Sequence, residues 1–402
     1  MTYHKKNLSF FKFSFFNILE KLLAYVSPFL ILKFIGDPLL YNKIELIYSI
    51  SIIINVFIDF GIKGHFVYSY RFYESKKEHE NIYLQSYNIL ILYYLIFAGF
   101  IALLLNFFHY SSLLIVLLIF IRVFYLLIIN FYKFFFRFYY NINYFFLLTL
   151  PVNIVTILLI LFLKKNEINY IIIYFFISQL ALVFFYTLFF VIRGNFTFRL
   201  KNFLKVIGQS LNYYWPIILS SAISIIIMNF GKIYSYYNLP QSDMTKFSLI
   251  LRFLLMIQLF HATFSGYFLK KNYKYNQRII YKNVTILYLT GLLISTIISS
   301  IMYPLLLSTI NLNYNFDKVY FLLMIYILFW CISSYLEQFL GKFNKNLYLM
   351  YLQLISILIY FIPLIYLNNV NIYHISFSMT LSSLFYLLGI LFFLKKEGIK
   401  IK

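Results

Sequence analysis

Long apolar stretches recur along the whole chain and are separated by short polar or basic segments. Each is about 20 residues long, the length that a helix needs to cross the hydrocarbon core of a bilayer. The apolar positions are continuous and do not alternate with polar ones, which predicts helices rather than the strands of a membrane barrel. Twelve spans are predicted, over residues 12–35, 44–69, 82–106, 111–134, 142–163, 168–192, 207–234, 245–269, 283–307, 317–341, 346–367 and 371–394.

The composition agrees with an all-α polytopic membrane protein. The chain has 402 residues, of which 63% are hydrophobic and 11% are charged. A soluble protein could not hide that much apolar surface. The formal net charge is +22, but the Lys and Arg residues lie in short clusters between spans, so nucleic acid is not predicted as a partner. Cys331 is the single cysteine, which excludes an intramolecular disulfide framework. No metal site is predicted.

The basic clusters predict the orientation of the chain in the membrane. They precede the first span, follow spans two, four, eight, ten and twelve, and occupy the midpoint of the chain. The opposite loops carry few basic residues: Lys33, Lys43, Lys164, Lys165, Lys246 and Lys318. The positive-inside rule therefore predicts a multi-pass protein with both termini in the cytoplasm.

The chain divides at a basic midpoint, "RGNFTFRLKNFLK" at residues 193–205. Each half begins with a basic flank and a span that contains proline, Pro28 in the first half and Pro216 in the second. This predicts two parallel six-helix lobes, residues 1–198 and 199–402, around a central cavity. The glycines form no phosphate-binding loop of the type GxxxxGK[ST], which argues against an ATP-driven pump.

Two segments resemble a known family. The first, "PFLILKFIGDPLLYNKIELIYSISIIINVFIDFGI" at residues 28–62, has an apolar span, a short loop, a second span and an "(I/L)xDxG"-like ending. The second, "YYWPIILSSAISIIIMNFGKIYSYYNL" at residues 213–239, resembles a "WPxxLS" entry to span seven. The chain resembles polysaccharide-export flippases, the O-antigen (Wzx-type) branch of the multidrug/oligosaccharidyl-lipid/polysaccharide (MOP) superfamily. Gly231 and Lys232 stand where many relatives carry an acid.

The resemblance implies a V-shaped, two-lobed, MATE-like bundle in a bacterial inner membrane. It implies a flippase that moves an undecaprenyl-diphosphate-linked oligosaccharide, an O-antigen or capsule repeat unit, to the periplasmic leaflet by alternating access. The expected partners are this lipid-linked cargo, membrane lipids, and polymerase and chain-length proteins of the same pathway. No cofactor is expected apart from a proton or sodium gradient, and the protein is not expected to be an enzyme.

Charged residues inside the predicted spans are the candidate functional groups. Each costs roughly 2.5–3.5 kcal/mol at the centre of a membrane helix, so each must pair, reach the interface or face a wet cavity. Arginine can bind phosphate oxygens with two hydrogen bonds. Four cations are therefore candidates for cargo binding, Lys63, Arg122, Lys232 and Arg252. Three acids are candidates for ion coupling, Glu20, Asp59 and Glu337.

Structural roles compete with functional ones at most of these positions. Arg122 lies near the middle of span four with no local partner in the sequence, which favours a function. Asp59 and Lys63 are four residues apart, so a continuous helix would place them on one face as a neutralising pair. Lys232, Glu337 and the pair Glu20–Lys21 could extend to the interface or pair locally. His65 and His261 are interpreted as structural.

Two other functions compete with the flippase hypothesis. A multidrug exporter of the same superfamily would favour acids in its cavity, whereas cations outnumber acids inside these spans. An O-antigen polymerase or lipid-dependent glycosyltransferase would need a large extracytoplasmic loop with catalytic residues, and the predicted loops are short.

Overall fold

The computed structural model describes residues 2–59, 62, 76–107, 113–139, 142–162, 176–181, 184, 199–274, 279–280, 282–309, 316–342, 345–367 and 369–401. These residues are nearly all helical. The helices are α1 (Thr2–Ile35), α2 (Pro38–Ile58), α3 (Lys76–Phe107), α4 (Leu113–Tyr139), α5 (Ile142–Phe162), α6 (Leu200–Asn238), α7 (Gln241–Lys274), α8 (Lys282–Thr309), α9 (Lys318–Lys342), α10 (Asn346–Tyr366) and α11 (Ile372–Lys396). Residues 176–181 are also helical.

The helices confirm the prediction of an all-α polytopic fold. Within the described residues, eight stretches are long and apolar enough to cross a membrane, in α2, α4 and α6 to α11. Helices α1, α3 and α5 overlap three further predicted spans. Most of the predicted span at 168–192 lies outside the described residues. Large apolar side chains remain exposed on the helices, for example Phe162 at 80% and Ile365 at 75%, as expected where helices face lipid.

Side-chain caps explain where several helices begin. Oδ1 of Asp37 accepts hydrogen bonds from the backbone N–H groups of Leu39 and Leu40, at 2.8 and 3.3 Å. Pro38 then fills the first position of α2, where its missing N–H would have had no partner anyway. Asn371 caps α11 in the same way, and Asp317 caps α9. Such caps satisfy N–H groups that a helix cannot bond internally.

Helix α2 ends inside the second predicted span, residues 44–69. Helix α2 stops at Ile58, and Asp59 lies in a turn. The backbone N–H of Ile62 donates to the carbonyl oxygen of Asp59 at 3.0 Å, a spacing of three residues. The prediction that a continuous helix runs through Asp59 was therefore wrong, since Asp competes with the helix for backbone hydrogen bonds. Lys63 and His65 lie outside the described residues, so their predicted roles stay predictions.

The chain forms two compact units. Unit 1 contains Met1–Asn42 and Ile226–Lys402, and unit 2 contains Lys43–Ile225. Within unit 1, α11 packs against α9 and α10, while α7 packs against α1, α8 and α9. Within unit 2, α4 packs between α3 and α5. Helices α2 and α6 each contribute residues to both units, and the division into lobes at residue 198 stays a prediction.

A short parallel sheet was not predicted from the sequence. Strand β1 (Ile279–Ile280) lies between α7 and α8, and strand β2 (Lys400–Ile401) follows α11. Ile279 pairs with Lys400, and Ile280 pairs with Ile401. The sheet therefore joins the segment after α11 to the connection between α7 and α8.

Candidate functional site

Arg122 is the centre of a polar and aromatic cluster in unit 2. Its Nη1 donates to Oε1 of Gln179 at 2.6 Å. Its guanidinium carbon lies 4.2 Å from the ring centre of Tyr48 and 4.8 Å from that of Tyr125. Gln179 and Tyr125 are buried, and the ring of Phe176 packs edge-on against Tyr48 at 6.1 Å. The guanidinium is therefore held by one hydrogen bond and by cation–π contacts with two rings.

One donor of the Arg122 guanidinium has no hydrogen-bond partner among the residues that the structure describes. This donor is the buried Nε. A buried donor left without a partner costs about 1–3 kcal/mol. The hydrogen-bond partner of Nη1, Gln179, is distant from Arg122 in the sequence, while Nε remains available to an acceptor. An anion that accepts from Nε and the neighbouring amino group would be bound side-on.

Asp59 lies in a second buried site of unit 2. It is 6% exposed, and its Oδ1 accepts a hydrogen bond from the hydroxyl of Tyr87 at 2.8 Å. The ring of Tyr87 stacks on Phe131 of α4, with centroids 3.8 Å apart. The carboxylate is therefore positioned by α3, a contact that the sequence did not indicate.

Two other candidate cargo-binding cations, Lys232 and Arg252, lie in unit 1. Arg252 of α7 is 3% exposed and Lys232 of α6 is 6% exposed, and both interact with other groups of the protein. A side chain that extended to the interface would be more exposed than Lys232. The neighbouring Gly231 lets α6 approach its neighbours closely, since a Cβ there would lie 2.8 Å from Cγ2 of Ile375 and 3.0 Å from Cζ of Phe247.

Glu337 is bonded to two hydroxyl groups in unit 1. Ser334, one turn earlier in α9, donates to Oε1 at 3.2 Å, and Tyr386 of α11 donates to Oε2 at 2.8 Å. Both oxygens of this acid therefore have hydrogen-bond partners inside unit 1. Glu337 does not need to extend to the membrane interface to be satisfied.

Glu20 and Lys21 lie on α1 and are partly buried, and both interact with other groups of the protein. In the same unit, Nδ1 of His261 lies 2.7 Å from the hydroxyl of Tyr288. That hydroxyl donates its single hydrogen to the carbonyl oxygen of Cys331 at 2.8 Å, so His261 must be the donor in its own bond. The interpretation of His261 as a bonded structural residue agrees with this chain of hydrogen bonds.

The described candidates therefore belong to two groups. Arg122 and Asp59 lie in unit 2, and the others lie in unit 1. Sequence reasoning missed the residues that bond to them, which are Tyr48, Tyr87, Tyr125, Gln179, Ser334 and Tyr386. Two of these had a local signal, because Tyr125 and Ser334 lie three residues from Arg122 and Glu337 on the same helix. The others come from different elements, which no spacing in the sequence reveals.

No protein-family model matches the chain. No curated protein matches it either.

Solved structures of transporters share the fold. The MATE multidrug transporter DinF-BH is 13% identical, with 97% of this chain and 96% of that chain covered and a TM-score of 0.67. The lipid II flippase MurJ in an inward closed conformation is 19% identical, with 98% and 88% covered and a TM-score of 0.61. An inward-facing multidrug resistance MATE family transporter of the MOP superfamily is 11% identical, with 94% and 96% covered and a TM-score of 0.61. The chain therefore has a MATE-like fold over nearly its whole length.

Proposed function

We propose that this multi-pass membrane protein of MATE-like fold is a flippase for a lipid-linked oligosaccharide. The cargo would be an undecaprenyl-diphosphate-linked repeat unit, moved from the cytoplasmic to the periplasmic leaflet by alternating access. The same fold is found in multidrug transporters and in a lipid II flippase. That likeness supports a transporter rather than an enzyme but does not choose between these cargoes.

The observation that carries the proposal is the buried Nε of Arg122, which has no hydrogen-bond partner among the described residues. A diphosphate presents several anionic oxygens, and a guanidinium can bind two of them at once. In this protein Gln179 takes one amino group and the two tyrosines contact the guanidinium, while the buried Nε has no partner among the described residues. Arg122 is therefore oriented before any cargo binds, which lowers the entropic cost of binding. We propose Arg122 as a diphosphate-binding residue.

Two acids bonded to tyrosine hydroxyls supply the proposed coupling. Asp59 and Glu337 each accept a hydrogen bond from a tyrosine hydroxyl at 2.8 Å. A carboxylate held in this way can exchange a proton, and intramembrane acids commonly mark proton or cation pathways. We therefore propose that one of them binds the coupling proton or sodium ion.

Multidrug export is a second candidate for the same fold. The multidrug transporter DinF-BH has a TM-score of 0.67 to this chain, and the acids Asp59 and Glu337 could attract a cationic compound. The two functions differ in the charge of the cargo, so substitution of the half-buried Arg122 distinguishes them. An anionic cargo needs Arg122, whereas a cationic one would be repelled by it.

Purified protein in sealed vesicles would test both functions. The outward movement of a lipid-linked oligosaccharide and the transport of a fluorescent cationic dye would be measured in parallel. We expect Arg122→Ala to abolish oligosaccharide flipping and Arg122→Lys to restore it only in part, because an ammonium lacks the planar fork. Arg199→Ala is the matched control, since Arg199 is exposed just before α6. Undiminished flipping by Arg122→Ala would remove this residue from the cargo site, and transport of the dye alone would establish multidrug export.

A further inference from the structure

Helix α11 ends in a turn centred on Gly398. Gly398 has φ of +66°, which is the left-handed conformation that glycine adopts readily. Its N–H donates to the carbonyl oxygen of Lys395 at 3.1 Å, and the N–H of Ile399 donates to that of Leu394 at 3.1 Å. These two bonds form a Schellman motif. Ile399 and Leu394 are both buried, which matches the apolar contact that usually accompanies this motif.

Ionic and aromatic contacts fix the same end of unit 1. Nζ of Lys345, just before α10, lies 3.0 Å from Oε1 of Glu397 and 5.5 Å from the ring centre of Tyr348. Tyr348 stacks on Phe393 at 4.4 Å, and Nζ of Lys396 lies 6.0 Å from the ring centre of Phe393. The adjoining ends of α10 and α11 are thus tied together before the chain reaches β2.

Strand β2 brings two basic segments of the chain together. It pairs with β1, so the segment after α11 lies beside the connection between α7 and α8. The strands and the helix ends that precede or follow them in the chain carry seven lysines: Lys270, Lys271, Lys274, Lys282, Lys395, Lys396 and Lys400. Residues 270–282 contain no acid in the sequence. Glu397 is the acid in residues 395–401, and it is bonded to Lys345.

We propose that this lysine-rich end of unit 1, organised by the β1–β2 pair, is a binding surface for anionic phospholipid headgroups. Three of its lysines, Lys282, Lys395 and Lys396, are exposed at the helix ends. These three lysines lie at the ends of the apolar helices α8 and α11, so we expect them at the depth of lipid headgroups. Lysines in this position attract anionic lipids, and the positive-inside pattern predicts that they face the cytoplasmic leaflet. This inference concerns a lipid contact and is independent of the cargo that the protein moves.

A fluorescent probe beside the surface would test the proposal. Asn283 lies next to Lys282 and is exposed, so Asn283→Cys can carry a bimane, while the native Cys331 is buried at 0% exposure. The full-length protein would be placed in phosphatidylcholine vesicles with a small fraction of brominated phosphatidylglycerol. Quenching relative to the same fraction of brominated phosphatidylcholine measures the local enrichment of the anionic lipid. We expect clear enrichment for the unmodified surface.

Charge variants separate this surface from a general effect of net charge. The triple change Lys282→Gln, Lys395→Gln and Lys396→Gln is expected to lower the enrichment about fivefold or more. One lysine near an anionic surface contributes about 1 kcal/mol, which corresponds to about fivefold. The control Lys33→Gln, Lys43→Gln and Lys318→Gln removes the same charge from loops predicted to lie on the other side and is expected to leave the enrichment unchanged. Equal loss in both triples would overturn the proposal, as would equal quenching by the two brominated lipids in the unmodified protein.

A backbone variant tests the role of the turn without changing any charge. A Cβ on Gly398 would meet nothing within 4 Å, so Gly398→Ala acts only through the backbone conformation. We expect it to weaken the enrichment, whereas Gly398→Asn should largely retain it because Asn tolerates the left-handed region. Full enrichment with Gly398→Ala would show that the turn does not organise the surface.

Discussion

Tyr87 donates a hydrogen bond to the carboxylate of Asp59 across 2.8 Å, and both side chains are buried. The hydroxyl of Tyr87 therefore binds the acid, while stacking on Phe131 fixes the ring. This contact joins α3 to the turn that follows α2, and it sets the position of an acid proposed to couple transport to an ion gradient.

Removal of this hydroxyl should destabilise the protein. We expect Tyr87→Phe to lower the free energy of unfolding by about 0.6 kcal/mol, the average measured for hydrogen bonds between membrane helices, and by no more than about 1.7 kcal/mol, the largest value. Thermal unfolding in detergent would measure the change. Tyr360→Phe is the control, since within the described residues the buried hydroxyl of Tyr360 has no hydrogen-bond partner. A larger loss from the control than from Tyr87→Phe would contradict the assignment.

Exchange of charges tests whether Asp59 has a role of its own. The double change Asp59→Lys with Lys63→Asp keeps the total charge but removes the acceptor for Tyr87. We expect this protein to accumulate in the membrane and to lose transport. Neutralisation to Asn and Met at the same positions should also abolish transport, although replacing a purely structural pair in this way is often nearly neutral. Transport at the original rate in both doubles would assign the two residues a structural role.

Gln179 gives a graded test of the anion site. Gln179→Leu removes the partner of Nη1 and should weaken cargo binding by releasing the guanidinium. Gln179→Glu places a carboxylate 2.6 Å from that nitrogen if the geometry is retained, so it should neutralise Arg122 and weaken binding further. The substrate concentration at half-maximal flipping would be compared for the two variants. Stronger binding with Glu than with Leu would argue against an anionic cargo at this site.

The close approach at Gly231 predicts a packing defect. In Gly231→Ala the new methyl group would meet Ile375 of α11 at 2.8 Å and Phe247 of α7 at 3.0 Å. Such overpacking typically costs about 1–3 kcal/mol. Gly99→Ala in α3 is the matched control, since a Cβ there meets nothing within 4 Å and alanine favours the helix. Unfolding in detergent should therefore show opposite shifts for the two variants.

The orientation in the membrane can be tested with reporter fusions. Fusions at Lys77 and Arg199 are expected to report the cytoplasm, and a fusion at Val370 the periplasm, because basic loops remain on the cytoplasmic side. Reversed signals at all three positions would invert the predicted topology. A reversal at one position alone would change the number of spans.

The sequence revealed the helices better than it revealed the contacts between them. Runs of apolar residues located most spans, because a helix that crosses a bilayer requires about 20 consecutive apolar residues. The end of α2 at Ile58 was missed, since the sequence around Asp59 remains apolar on both sides. Arg122 and Asp59 were chosen as candidate functional residues because charged residues are rare inside membrane spans. Their partners Gln179 and Tyr87 could not be, because a contact between different helices leaves no mark on the spacing along the chain.

The hydrogen bond from Asn17 to Thr263, 2.6 Å long, sets an order of events during synthesis. The two residues are 246 positions apart in the sequence, and α1 packs against α7 in unit 1. The ribosome must therefore complete all of unit 2 before α1 meets its partner. Until then the amide of Asn17 and the charges of Glu20 and Lys21 must be solvated by water or by the insertion machinery, because hydrocarbon offers them no polar partner.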